Sequence, residues 1–236
     1  GMEWDGYKNI DGMCKYGVDG SMRALPVIVA AALEFVGVIS APWQQLAKRT
    51  GAELVWFEVT EDGRLDLRKL NDLIDAKTAI VAVAHQSNVL GTINPLDQIV
   101  DRAQAVGAKV VLDACQSVPH YPIDVIELGC DFLVFSGHKA LGPTGVGVLW
   151  GRAELLATLP PFLFGGSMIE SVSMESSTYS QAPRKFEPGV PNMAGVIGLG
   201  AALKYLQNIG MDNIAQHERE LTIKALDKFA DLKNVT

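Results

Sequence analysis

Short apolar runs alternate with segments of helical periodicity along most of this chain, and this alternation limits the folds open to it. From residue 43, helices are predicted over 43–50, 65–74 and 95–106. Strands are predicted over 53–59, 79–84, 109–112, 131–135 and 146–150. The pattern predicts an α/β fold with a mainly parallel sheet between helices. The last strand follows a short glycine-rich link, so it can run antiparallel to its predecessor.

The pattern becomes helical after Pro191, with helices predicted over 193–206 and 211–232. We therefore expect a large domain over 40–207 and the start of a smaller C-terminal domain over 208–236. Residues 1–39 form an N-terminal segment with no readable alternation. Its apolar run at 24–39 is too short for a membrane span and fits a buried helix or strand.

Composition excludes several functional classes. The chain has 236 residues, 48% of them hydrophobic, with a net charge of −7 and no basic run, so a nucleic-acid partner is not expected. No membrane span or signal peptide is predicted. Cys14, Cys115 and Cys130 include no CxxC pair, which favours a reducing, cytoplasmic setting.

Polar residues follow three of the predicted strands, where ligands bind in open α/β sheets. The strand at 79–84 leads to Asn88, and the strand at 109–112 leads to Asp113 and Gln116. The strand at 131–135 leads to the Ser-Gly-His-Lys run and then to a glycine-rich segment. We expect these residues to converge on one rim: Asn88, Asp113, Gln116, Ser136, His138 and Lys139.

A lysine and a carboxylate at the ends of neighbouring strands suit pyridoxal phosphate chemistry. Lys139 would form the Schiff base, and Asp113 would keep the pyridine nitrogen protonated. Gln116 could donate to the phenolic oxygen, while Ser136 and His138 would bind the phosphate. Each residue also has an ordinary interpretation, such as a solvated lysine or an aspartate that forms a turn.

Other ligand sites have weaker support. His85 and Asn88 could face the substrate side, although both could also be ordinary residues of a polar loop after a strand, an interpretation that suits His85 better than Asn88. A metal site formed by His85, Asp113 and His138 lacks local ligand spacing such as HxxxH, and no metal is expected. The glycine-rich run is neither a Walker A loop nor a Rossmann fingerprint.

Several segments together carry a family resemblance. The run Asp113-Ala-Cys-Gln and residues 131–150 resemble the class V aminotransferase family, and within it the SUF-type (group II) cysteine desulfurases. Residues 85–91, 186–192 and 194–202 support this resemblance, which covers roughly 42–230. The lysine segment is specific for the superfamily, and its flanks narrow the match to members similar to desulfurases.

The resemblance implies the PLP-dependent transferase (aspartate aminotransferase-like) fold, with 40–207 as its cofactor-binding large domain and pyridoxal 5'-phosphate as cofactor. It gives Lys139, Asp113, Gln116, Ser136 and His138 the roles stated above, and places Asn88 near the substrate carboxylate and the phenolic oxygen. It implies a homodimer that removes sulfur from L-cysteine, leaving alanine and an enzyme persulfide.

That persulfide would supply iron–sulfur cluster assembly through a sulfur-acceptor protein. Two alternatives stay open. The first is another class V enzyme, such as a selenocysteine lyase, an epimerase or an aminotransferase. The second is a non-catalytic binding protein with the same fold.

The sequence also departs from the family. The family's catalytic cysteine lies in a later segment than Thr236, so we expect this sequence to be part of a longer protein. A Gly-Thr phosphate loop and a histidine that stacks on the cofactor should precede Pro42, and neither occurs between Glu34 and Pro42. A threonine that the family offers to the partner's phosphate is Val190 here.

Overall fold

A six-stranded sheet forms the centre of the molecule in a computed structural model, which describes residues 27–31 and 40–233. The strands are β1 (Val27–Ala31), β2 (Glu53–Trp56), β3 (Thr78–Ala84), β4 (Lys109–Asp113), β5 (Phe132–Ser136) and β6 (Gly147–Gly151). Their spatial order is β2-β1-β3-β4-β5-β6. All neighbours run parallel except β5 and β6, which are antiparallel. The predicted α/β fold with a mainly parallel sheet is therefore confirmed.

The helices alternate with the strands and then continue beyond them. They are α1 (Ser40–Thr50), α2 (Leu70–Leu73), α3 (Leu96–Val106), α4 (Ala153–Thr158), α5 (Met193–Ile209) and α6 (Met211–Ala230). Short 3-10 turns lie at Leu67–Lys69, Gly137–Ala140 and Arg184–Phe186. A separate antiparallel hairpin joins β7 (Ile169–Val172) to β8 (Ser177–Tyr179).

Helices cover both faces of the sheet around β3, in which every residue is buried. Val81 and Val83 lie in one core cluster with Ile99 of α3. Ile80 lies in the other cluster with Leu46 of α1. Because successive side chains of a strand point to opposite faces, a continuous apolar run is what a strand covered on both sides requires. This burial fixes β3 and leaves its carboxyl end at the rim of the sheet.

Most predicted elements are confirmed, and two are much shorter than predicted. The strand predicted at 53–59 ends at Trp56. The helix predicted at 65–74 is a 3-10 turn followed by the four residues of α2. Its predicted cap is correct, because Oδ1 of Asp66 accepts a hydrogen bond from the backbone amide of Arg68 at 3.0 Å. Gly107 ends α3 in the left-handed conformation, with φ of 79°.

The two ends of the chain are described in part. Within the predicted N-terminal segment 1–39, residues 27–31 are β1, and the rest lies outside the described residues. The stretch expected to lack the cofactor loops is described only from Ser40, where α1 begins. At the other end, α6 has no buried residue, and Nδ1 of His120 lies 2.9 Å from Oε1 of Glu218 on that helix. None of the helices in the described ranges is long and apolar enough to cross a membrane.

Candidate active site

The carboxyl ends of β3, β4 and β5 lie side by side. Ala84 pairs with Asp113, and Asp113 pairs with Val134. The alignment continues past the strands, because the His85 amide donates to the Asp113 carbonyl at 2.8 Å and the Ala114 amide to the Val134 carbonyl at 2.9 Å. The three strand ends therefore form a single rim with Asp113 at its middle.

Asp113 is half-buried, and the turn that follows it fixes its side chain. Its Oδ1 accepts a hydrogen bond from the backbone amide of Cys115 at 2.9 Å. Gln116 lies half-buried in the same turn, which the Ser117 amide closes by donating to the Ala114 carbonyl at 3.2 Å. Asp113 therefore forms a turn, which is the ordinary role that such an aspartate has after a strand. The turn also holds the carboxylate in one orientation at the rim.

Lys139 lies in the 3-10 turn directly after β5, half-buried, beside the exposed His138. Two backbone hydrogen bonds of 2.9 Å close this segment, one from the Gly137 amide to the Val146 carbonyl and one from the Gly142 amide to the Gly137 carbonyl. A side chain at Gly137 would place its Cβ 2.8 Å from the Val146 oxygen, so only glycine fits there. The position of Lys139 thus depends on a tightly closed loop.

The carboxylate turn and the lysine segment touch through two small side chains. The Cys115 sulfur lies 3.5 Å from the Ser136 hydroxyl oxygen, and either group can be the donor. Ser136 is the last residue of β5 and pairs with Gly147 of β6. This contact brings Ser136 next to the turn of Asp113 and Gln116.

Burial raises the pKa of the Cys115 thiol, and the negative charge of Asp113 raises it further, while the hydrogen bond with Ser136 acts in the opposite direction. A raised pKa leaves less thiolate at neutral pH, and the thiolate is the nucleophile. The rim therefore keeps Cys115 in its protonated, weakly reactive form.

We expect iodoacetamide to modify Cys115 more slowly than free cysteine at pH 7, with a rate that rises only at higher pH. The reason is the raised pKa of the thiol. Cys115→Ala should leave cofactor binding nearly unchanged, because cysteine here acts as a small half-buried side chain. Peptide mass spectrometry at several pH values measures the first effect and cofactor titration the second. Rapid modification at pH 7, or loss of cofactor binding in Cys115→Ala, would make Cys115 a functional thiol.

The loop after β3 contributes a third part of the rim. Asn94 is only 3% exposed, and its Nδ2 donates to the Ala84 carbonyl at 2.6 Å, which ties the loop to the strand end. Three buried side-chain atoms on this loop have no hydrogen-bond partner among the described residues: Nδ1 of His85, Oε1 of Gln86 and Oδ1 of Asn94. Burial lowers the pKa of His85, which favours its neutral imidazole.

Asn88, the predicted residue of this loop, is exposed four positions past the end of β3. His85, Asp113 and His138 do not form a metal cluster. Within the described residues, no three histidine, cysteine, aspartate or glutamate side chains are grouped closely enough to hold an ion.

The residues at the rim fit pyridoxal phosphate by their chemistry. A carboxylate suits the ring nitrogen, a lysine suits the aldehyde, and hydroxyl and imidazole groups suit the phosphate. Protein atoms fill the space beside Gly137 and Gly142, so the loop that carries Lys139 can close tightly only with glycine at both positions. Unpaired buried polar atoms on the neighbouring loop add capacity to bind a polar ligand at the same edge.

The structure brings Asp113, Gln116 and Ser136 together and places Lys139 in the adjoining turn. No hydrogen bond or ion pair between described residues links Lys139 to Asp113. Asn94 is not among the residues predicted for the site, although Asn before Pro95 at the start of a predicted helix marks a constrained turn.

Comparisons with known proteins give one consistent result. A family model described as "Aminotransferase class-V" matches residues 16–236. A probable cysteine desulfurase of Streptomyces coelicolor is 56% identical over 194 residues, which cover 82% of this chain and 46% of that protein. A cysteine desulfurase of Escherichia coli O127:H6 is 46% identical over 219 residues, covering 92% of this chain and 54% of that protein. The chain spans about half the length of the curated relatives it matches.

Solved structures agree with the sequence relatives. The cysteine desulfurase CsdA of Escherichia coli, as its S-sulfonic acid, superposes with a TM-score of 0.86 at 35% identity. The apo cysteine desulfurase of Thermococcus onnurineus NA1 gives the same TM-score at 34% identity. Each match covers 96% of this chain and 56% of the solved one.

Proposed function

Because this chain belongs to the class V aminotransferase family, we propose that it is the cofactor-binding part of a cysteine desulfurase that uses pyridoxal phosphate. The observation that carries the proposal is the rim, where Asp113 ends β4 and Lys139 follows the neighbouring strand β5. Curated relatives at 56% and 46% identity are named as cysteine desulfurases, which supports this choice within the family.

Asp113 would hold a proton on the ring nitrogen of the cofactor. Its Oδ1 already accepts the Cys115 amide, so the carboxylate cannot turn away without breaking that bond. A hydrogen bond to a charged partner contributes about 1.5–3 kcal/mol. When bound, pyridoxal phosphate supplies an electron sink for bond breaking at the substrate's α-carbon. Gln116 would donate to the phenolic oxygen from the same turn.

Lys139 would bind the cofactor covalently through Nζ and later move a proton at the substrate's α-carbon. Ser136 and His138 flank it in sequence and would bind the phosphate. The closed loop holds the backbone of His138 and Lys139, because Gly137 and Gly142 are hydrogen-bonded at its base, and Ser136 directly precedes it at the end of β5. Asn88 would bind near the substrate carboxylate, a role that rests on the family resemblance.

L-cysteine would be the substrate. The reaction breaks its carbon–sulfur bond, passes the sulfur to an enzyme thiol as a persulfide and leaves alanine with the thiol's proton. The raised pKa of Cys115 argues against this residue as that thiol. A cytoplasmic homodimer of the SUF type that gives the sulfur to an acceptor protein for iron–sulfur cluster assembly completes the proposal.

Titration of the chain with pyridoxal phosphate, followed by titration with amino acids, tests this function. We expect a visible absorbance band on cofactor binding and a change in that band with L-cysteine at lower concentration than with L-aspartate or L-alanine. Absorbance spectroscopy measures both steps, and a matched sample without cofactor is the control.

The other outcomes separate the alternatives. Failure to bind pyridoxal phosphate would favour the non-catalytic binding protein. Binding followed by a stronger response to L-aspartate would favour an aminotransferase, and a stronger response to L-selenocysteine would favour a selenocysteine lyase.

A further inference from the structure

The loop that carries Lys139 is packed against the first two turns of α5. We infer that Asn192 and Gly198 of this region are positioning residues that set the place of Lys139. The inference rests on the proposed function for its meaning in catalysis. The contacts that carry it belong to the chain itself and involve none of the residues assigned to cofactor binding.

Asn192 connects the helix to the loop with both ends of its amide. Its Oδ1 accepts the backbone amide of Gly195 at 3.0 Å and so caps α5. Its Nδ2 donates to the carbonyl of Gly145 at 3.3 Å, in the glycine-rich part of the loop. The two partners fix the orientation of the amide, because an N–H requires the oxygen and a carbonyl requires the NH₂.

Gly198 is the second point of contact, because it has no side chain and lets α5 pack closely against the loop. A Cβ there would lie 2.6 Å from Cγ of Pro143 and 3.3 Å from its Cδ. Proline is rigid, so the loop itself would have to move. The buried Leu199 next to it lies 2.8 Å from the place where Gly142 would have a Cβ. The helix and the loop therefore fit together without space for one more carbon atom.

Lys139 lies between the two hydrogen-bonded ends of this loop, Gly137 and Gly142. Pro143 and Gly145 follow Gly142 closely in the chain, so a shift of either residue also moves Gly142 and its hydrogen bond to Gly137. The closed loop therefore fixes the backbone of Lys139. Two contacts of α5 thus act on the lysine through the loop.

Asn192→Asp separates this role from ordinary helix capping. Aspartate keeps the cap acceptor but places an oxygen against the Gly145 carbonyl. We expect hydrogen exchange at the Gly137 and Gly142 amides to rise about fivefold, as for one lost hydrogen bond, while the first turn of α5 stays protected. Asn213→Asp is the matched control, because Asn213 makes a similar bond to the Ile209 carbonyl at the other end of α5.

Gly198→Ala gives an independent test, because this substitution should stabilise the helix itself rather than weaken it. Alanine favours a helix, so faster exchange in the 137–147 peptide would come from the displaced loop. Gly200→Ala is its control, because a Cβ at that exposed position meets nothing within 4 Å. We expect Gly198→Ala, and not Gly200→Ala, to weaken binding of pyridoxal phosphate several-fold and to shift the pH dependence of its absorbance band.

The exchange measurement decides the inference without the cofactor. Exchange in the 137–147 peptide that matches the parent chain in both Asn192→Asp and Gly198→Ala would overturn the positioning role. If the parent chain bound no pyridoxal phosphate, the proposed function would fail, and the exchange comparison would still test the positioning role.

Discussion

Borohydride reduction of the chain loaded with pyridoxal phosphate is expected to leave the cofactor on the peptide that contains Lys139. Lys139→Arg keeps the positive charge of the side chain but replaces the amine with a guanidinium, which does not form a stable Schiff base under these conditions. This substitution should therefore abolish the label completely. The α-proton exchange of L-alanine in D₂O, which needs no persulfide thiol, should fall to the background rate in the same variant. Peptide mass spectrometry and proton NMR measure the two effects.

Lys204→Arg is the matched control for this experiment. Lys204 is exposed on α5, away from the loop, so its replacement should leave both the label and the exchange rate unchanged. A label on a different lysine, such as the buried Lys185, would show that Lys139 is not the attachment site.

Asp113→Asn should slow the α-proton exchange of L-alanine about 10- to 160-fold, the factor that corresponds to the 1.5–3 kcal/mol of a charge-assisted hydrogen bond. The asparagine oxygen can still accept the Cys115 amide, so the melting temperature should stay nearly the same. Proton NMR gives the rate, and calorimetry gives the melting temperature. The cofactor band should also change its pH dependence, because the carboxylate no longer favours the protonated ring nitrogen.

Asp131→Asn is the contrasting variant, because this carboxylate is structural. Asp131 is 8% exposed, and its Oδ2 accepts a hydrogen bond of 2.9 Å from the Val110 amide. Its Oδ1 lies 3.5 Å from Nε of Arg152. Its replacement should destabilise the fold by about 1–3 kcal/mol with little effect on the exchange rate of the folded protein. An Asp113→Asn variant that exchanged protons at the parent rate would remove Asp113 from the pyridinium role.

The fold was predictable where local signals agreed with burial. A run such as β3 is apolar throughout, and only a strand covered on both faces needs that composition. Gly107 after α3 and Asp66 before the 3-10 turn marked helix ends correctly, because capping depends on nearby residues. The convergence of Asp113 and Ser136 followed from strand order, which the alternation of helices and strands restricts strongly.

The parts that were missed depend on contacts distant in sequence. The six-residue helix α4 buries only Leu155, so it shows little periodicity. The β7–β8 hairpin carries exposed residues throughout β7 and lacks the alternation that marks a half-buried strand. The contact between Gly198 and Pro143 joins residues that have no shared local pattern, and only the packed structure brings them together.

The strand order also has a consequence for folding kinetics. β1 lies between β2 and β3, and its pairing with β3 joins residues about 50 positions apart, such as Ile28 and Ile80. The β5–β6 pair closes a far shorter loop, since Phe135 pairs with Val148. Loop-closure entropy makes distant pairings slow, so the edge of β3 that faces β1 should stay unpaired for longest. A bare apolar edge can pair with another chain, and the chain is therefore most exposed to self-association while it folds.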